Sequence, residues 1–204
     1  MKVALIDYGA GNLRSVANAL RALGQEPAVV ADAAELGDAT HLLLPGVGSF
    51  GDCMAQLEQR GLANLIRSWV SAGRPYLGIC LGYQILFDSS DESPGVAGLG
   101  LFRGKVKRFG DVPGVKIPHM GWNAARPAKP NLKNWAGLGD APYFYFVHSY
   151  FPVPEDESIV ASRTDYAAEN FASSIESGAV LACQFHPEKS QDAGLRLIGN
   201  FLGF

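Results

Sequence analysis

Two periods alternate along the first half of the chain. Val3-Ala4-Leu5-Ile6 is an unbroken apolar run, the pattern of a short strand covered on both faces. Leu13, Val16, Ala17, Leu20 and Leu23 then recur at helical spacing, and Gly24 stops that helix. Residues 28–31 and 41–44 return to short apolar runs, the second ended by Pro45-Gly46. Met54, Leu57, Leu62, Leu65, Ile66, Trp69 and Val70 predict one long amphipathic helix. Pro75 breaks the chain before a fourth strand at residues 76–79. Strands apolar on both faces, alternating with helices, predict an α/β fold: an open, mostly parallel sheet with helices on both faces.

The texture changes near residue 99. Short alternating segments follow at residues 101–109, 116–123, 143–151, 158–163, 171–176 and 179–185, with Ser177-Gly178 marking a hairpin between the last two. Residues 111–114 and 126–142 read as surface loops. Leu195, Ile198, Phe201 and Leu202 restore the helical period at the C-terminus. The expectation is an additional antiparallel section within a single domain spanning 1–204, with no internal repeat and no linker.

Composition excludes several classes. Apolar residues make up 48% and charged residues 18%, so the chain can build a core and is not disordered. Net charge is −3, and the densest basic stretch, Arg103-Gly104-Lys105-Val106-Lys107-Arg108, reads as one solvated strand face. A nucleic-acid site usually needs an overall basic domain, so no nucleic-acid partner is expected. No apolar run reaches the roughly 20 residues of a membrane helix, and Lys2 and Asp7 come too early for a signal peptide. Cys53, Cys80 and Cys183 are odd in number and far apart, which argues against a disulfide scaffold and for a cytoplasmic setting. Glycine is abundant, 24 of 204 residues against a usual level of about 7%, and the surplus points to tight turns and close backbone approaches.

Candidate chemistry begins at Gly78-Ile79-Cys80-Leu81-Gly82. G-x-C-x-G is the thiol counterpart of a nucleophile elbow, in which a strained strand-to-helix turn presents the central side chain and the flanking glycines avoid clashes. The following helix, expected over 81–87, would aim its N-terminus at the sulfur and favour thiolate. Taken alone, the pentad reads as well as a buried core cysteine beside two packing glycines. Phe185-His186-Pro187-Glu188-Lys189 supplies a base and its orienter at the end of another strand, where active sites of open α/β sheets collect. A lone H-P-E is more often a surface turn; paired with the elbow it reads as part of a site. Pro45-Gly46-Val47-Gly48 follows the third strand, and its glycines would let backbone amides approach a ligand. Gly46-Val47-Gly48-Ser49-Phe50-Gly51 also spells G-x-G-x-x-G, but it follows the wrong strand and lacks an acidic residue about 20 positions on, so no dinucleotide cofactor is expected. Cys183 reads as core packing, and no ligand spacing supports a metal.

G-I-C-L-G, F-H-P-E and the P-G-V-G loop together resemble the class I glutamine amidotransferases, along the whole chain. Four further segments narrow the resemblance to one branch, the glutaminase subunits of imidazole glycerol phosphate synthases. They are residues 7–16, Pro118-His119-Met120-Gly121-Trp122-Asn123, Tyr145-Phe146-Val147-His148-Ser149-Tyr150 and residues 186–195. The resemblance implies a Cys80–His186–Glu188 triad that releases ammonia from glutamine through a thioester, with no cofactor. It implies oxyanion donors at Val47 and Leu81, and a glutamine pocket of Gly48, Gln84, Glu92, His148, Ser149 and Tyr150. It further implies a (β/α)8-barrel cyclase partner facing Asn12, Met120, Trp122, Tyr145 and Lys189. Plainer readings stand beside these: Asn12 as a helix cap, Met120 and Trp122 as core, Lys189 as a solvated lysine, and His41 and His119 as structural. The nearest rivals are other glutaminase subunits, of the anthranilate or pyridoxal-phosphate type; a stand-alone cysteine hydrolase and a silent binding module are the others, and an intact Cys80, His186 and Glu188 argue against the last.

Overall fold

A computed structural model describes all residues, 1–204. The first half runs β1 (Val3–Ile6), α1 (Leu13–Ala22), β2 (Ala28–Val30), β3 (His41–Gly46), α2 (Phe50–Gln59), α3 (Leu62–Ser71), β4 (Tyr76–Cys80) and α4 (Leu81–Gln84). Short strands dominate the second half: β5 (Ser89–Ser90), β6 (Gly104–Arg108), β7 (His119–Ala124), β8 (Arg126–Pro127), β9 (Tyr143–His148), β10 (Tyr150–Pro154), β11 (Val160–Tyr166), β12 (Glu169–Ser177) and β13 (Val180–Cys183). Helix α5 (Gln191–Leu202) closes the chain.

One eight-stranded sheet carries the fold, in the order β2-β1-β3-β4-β13-β12-β11-β8. Strands β2, β1, β3, β4 and β13 are parallel, and β12, β11 and β8 continue the sheet antiparallel. Successive side chains of a strand face opposite sides, and β1 shows the consequence: Val3 and Leu5 join the core under α1 and α5, while Ala4 and Ile6 join the core under α2 and α3. Both faces being covered explains why the central strands are apolar throughout. The mostly parallel sheet with an antiparallel section is therefore the architecture the hydrophobic pattern predicts.

Four elements differ from expectation. The long helix is two helices, because Gly61 takes φ +67° and starts α3 afresh; a helical apolar stripe can continue across such a break, so periodicity alone does not reveal it. Helix α4 closes after one turn at Gln84 rather than running to residue 87. The segment at 143–151 divides: β9 pairs with β7 in a two-stranded ribbon, and β10 pairs with β6 in a three-stranded sheet. Within the expected loop 126–142, Arg126–Pro127 pairs with β11, and Trp135 packs into the core at 5% exposure. The Ser177-Gly178 hairpin is present, joining β12 to β13.

Candidate active site

Three parallel strands end side by side. Gly46 of β3 lies opposite Cys80 of β4, and Cys183 of β13 lies opposite Ile79. The residues that follow, 47, 81 and 184–188, thus share the C-terminal edge of the sheet. Cys80 turns the chain at φ 56° and ψ −107°, a left-handed conformation that costs a cysteine about 1–3 kcal/mol. Its neighbours leave no room for side chains: a Cβ on Gly82 would collide with the Leu44 carbonyl, one on Gly78 with the Gly82 carbonyl, and one on Gly46 would lie 2.7 Å from the Leu81 Cβ. Gly46 therefore serves close packing against the elbow rather than an approach to ligand.

His186 is 2% exposed. Its Nδ1 lies 2.9 Å from Oε1 of Glu188, whose side chain is fully buried. The carboxylate can only accept, so Nδ1 carries a proton and Nε2 is the working nitrogen. Nε2 has no hydrogen-bond partner. Burial alone would depress the imidazole, but the negative charge of the Cys80 sulfur and the Glu188 carboxylate outweigh it and raise His186 to about 10. The pair therefore rests as an imidazolium beside the sulfur. Asn12, at the N-cap position of α1, makes no capping bond; its Nδ2 reaches Glu188 Oε1 at 3.5 Å.

Two further side chains reach this centre. Gln184, wholly buried, donates its Nε2 amide to the Cys80 sulfur at 3.6 Å. The Tyr8 hydroxyl grips both ends of Val47: the Val47 amide donates to Tyr8 Oη at 3.0 Å, and Tyr8 donates to the Val47 carbonyl at 2.9 Å. The Val47 amide, expected as an oxyanion donor, is engaged elsewhere in this state. Burial holds the Tyr8 phenol well above its usual value, so it stays a proton donor. Gln184 was within reach of sequence reasoning only as a near neighbour of His186, since β13 ends at Cys183 and the chain bends at 184–185. Tyr8 was not, because only the tertiary fold brings residue 8 to residue 47.

A cavity of about 340 Å³ opens above the sulfur. Cys80, Leu81, His186, Val47, Gly48, Gln84, Glu92, His148, Ser149 and Tyr150 line it, joined by Pro118 and Val147. Glu92 accepts the Phe50 amide on Oε2 at 2.7 Å, which anchors its carboxylate at the cavity wall. Gln84 spends both amide hydrogens inside the protein, on the Tyr150 carbonyl at 3.0 Å and Gln184 Oε1 at 3.1 Å. Only its oxygen is left for a ligand. His148 donates from Nδ1 to the Tyr150 carbonyl (2.8 Å) and accepts from His119 (3.1 Å); burial lowers these imidazoles to about 3 and about 4, so both stay neutral. His119 is thus a buried structural residue. No group of three or more His, Cys, Asp or Glu side chains is placed to hold a metal.

Outside the cavity, Met120 is 62% and Trp122 47% exposed, so neither is a core residue. They share the β7–β9 ribbon with half-buried Tyr145, over whose ring the exposed Lys189 ammonium sits at 5.8 Å. The remaining cysteines, Cys53 and Cys183, are free and buried; burial pushes Cys53 up to about 12 and Cys183 well above its usual value, so neither offers a thiolate.

A thiol on a strained elbow and a buried imidazole–carboxylate pair at one sheet edge are the groups that nucleophilic catalysis by a thiol requires. The chain belongs to the glutamine amidotransferase class-I family, whose model matches residues 4–202. Its relatives are more particular. The imidazole glycerol phosphate synthase subunit HisH of Aquifex aeolicus is 50% identical, the match covering 98% of this chain and 96% of that one. The HisH subunit of Thermosynechococcus vestitus is 46% identical, covering 98% and 95%. Among solved structures, a glutamine amidotransferase superposes with a TM-score of 0.77 at 23% identity, covering 99% of this chain and 97% of that chain. PurLQS from Thermotoga maritima gives 0.77 at 23%, covering 98% and 97%. These two share the fold.

Proposed function

We propose that the protein is the glutaminase subunit of an imidazole glycerol phosphate synthase, acting in histidine biosynthesis as one domain over residues 1–204. The observation that carries this reading is the Cys80 elbow and His186, backed by Glu188, meeting at one cavity that also bears the Glu92 carboxylate. The near full-length likeness to HisH subunits supports the pathway.

The chemistry follows from the groups present. Glu92 attracts the α-ammonium of glutamine, and Gly48, Gln84 and the 148–150 strand hold its amino-acid end. The Cys80 sulfur attacks the side-chain amide carbon. The oxygen that becomes negative is received by the Leu81 amide and, once released from Tyr8, by the Val47 amide. His186 gives its Nε2 proton to the departing nitrogen, and ammonia leaves with a thioester on Cys80. His186, now neutral, takes a proton from water, whose oxygen attacks the thioester; glutamate leaves and the thiolate–imidazolium pair is restored. Ammonia passes to a (β/α)8-barrel cyclase docked on Asn12, Met120, Trp122, Tyr145 and Lys189, which forms imidazole glycerol phosphate and aminoimidazole carboxamide ribotide. The buried free thiols suit a cytoplasmic protein, and no helix is long and apolar enough to cross a membrane.

The test is glutamine turnover measured alone, with the cyclase, and with the cyclase plus its ligand. The engaged Val47 amide predicts little turnover alone and a large rise in the liganded complex. High turnover without a partner would point instead to a stand-alone hydrolase.

A further inference from the structure

We propose that Gln184 is a catalytic residue that donates a hydrogen bond to the Cys80 sulfur and holds it as the thiolate. The inference deepens the glutaminase reading and rests on Cys80 being its nucleophile.

The fold dictates the orientation of the Gln184 amide. The Tyr150 backbone carbonyl can only accept, so the Gln84 side chain must present its nitrogen there, at 3.0 Å. The second hydrogen on that nitrogen then faces Gln184 Oε1 at 3.1 Å. With its oxygen thus committed, Gln184 has its nitrogen turned to the sulfur at 3.6 Å. The reverse orientation would set an amide oxygen against the sulfur and a nitrogen against a nitrogen. Gln184 is 0% exposed, and its own backbone amide is fixed on the Ser173 carbonyl at 2.8 Å. A buried amide is costly without partners, and a thiolate is the partner that makes its bond strongest.

This donor fills a gap in the site. Helix α4 is a single turn, too short to supply much dipole to the sulfur. His186 faces the sulfur as a charge, with its Nε2 short of a well-formed hydrogen bond. The titratable groups around the sulfur are His186, backed by Glu188, and the buried Tyr8 and Cys183, which stay neutral. Gln184 is a neutral donor already bonded to the sulfur in this state, beside the imidazolium. Its role extends to both halves of the reaction. It steadies the thiolate before attack, and it receives the same thiolate when water expels it from the thioester.

Alkylation of Cys80 by iodoacetamide tests this in the whole subunit, with the modified peptide identified by mass. Cys53 and Cys183 are buried and serve as internal controls. Gln184→Met keeps the length and removes the donor. Its alkylation at pH 7 should slow about tenfold, and the deficit should close toward pH 10, where a thiol ionises unaided. Gln184→Glu, which places an acceptor against the sulfur, should slow it further. If Gln184→Met does not fold, Gln84→Met removes the lock on the amide and should give a smaller deficit of the same form. A profile that superimposes on the unaltered protein, or a deficit as large at pH 10 as at pH 7, overturns the proposal. The assay needs neither glutamine nor cyclase. A protein that alkylates as described yet never turns over glutamine would refute the glutaminase reading and leave the Gln184–Cys80 bond standing.

Discussion

At residue 186 one proton decides the chemistry and part of the stability. The Cys80 sulfur and the Glu188 carboxylate raise the imidazole from an ordinary 6.5 to about 10. The folded state therefore holds this proton more tightly than the unfolded chain does. The stabilisation is full below about pH 6.5 and fades as pH rises through about 10. His148 and His119 act in the opposite sense: held neutral by burial, they cost the fold stability as pH falls from 6.5 toward 4 and 3. Denaturant titrations across pH 3 to 10 should show both flanks, and Glu188→Gln should flatten the alkaline one. The same variant should lower glutamine turnover by roughly two to four orders of magnitude, because a neutral amide neither stabilises the imidazolium nor enforces its tautomer. Tyr8→Phe removes the hydroxyl that engages Val47. It should raise partner-independent turnover about tenfold, a fraction of what one oxyanion donor commands; unchanged turnover would mean the hydroxyl does not restrain the amide.

Elements matter here mainly through how closely they approach one another. The elbow works because β3, β4 and α4 touch backbone to backbone at Gly46, Gly78 and Gly82. Gly82→Ala drives a methyl group into the Leu44 carbonyl and should cost about 2–3 kcal/mol in urea unfolding, with alkylation of Cys80 disturbed as well. A second close tie joins the β7–β9 ribbon to the turn carrying His186. The His186 amide donates to the Tyr145 carbonyl at 2.8 Å, and the Tyr145 amide donates to Ser190 Oγ at 3.0 Å. What moves the ribbon thus pulls on the base. Much of this was legible in the chain. Apolar runs marked β1, β3, β4 and β13, and the G-x-C-x-G and H-P-E spacings marked two corners of the site. What stayed hidden depends on contacts distant in sequence: the Tyr8–Val47 grip, and the division of residues 143–151 between two sheets. The Gly61 break stayed hidden for another reason, since a left-handed residue interrupts a helix without interrupting its apolar stripe.

On the scale of the whole molecule, the site lies beside an exposed apolar ribbon. Met120, Trp122 and Tyr143 stand well out of the surface on β7 and β9, the kind of exposed apolar arrangement that marks a contact face. If this face receives the cyclase, Trp122→Ala should weaken the complex about 30-fold or more while leaving the unfolding midpoint of the isolated subunit unchanged. Loss of stability without loss of affinity would return Trp122 to a purely structural role. In the proposed function the work is divided between two proteins: this one would liberate ammonia at Cys80, and its partner would consume it. The most direct measurement is therefore synthesis by the assembled complex of a Cys80→Ala subunit, fed in parallel with glutamine and with ammonium salt. Synthesis from glutamine should vanish while synthesis from ammonia continues at the level of the unaltered complex. Retained glutamine-driven synthesis, or loss of the ammonia-driven reaction as well, would contradict that division.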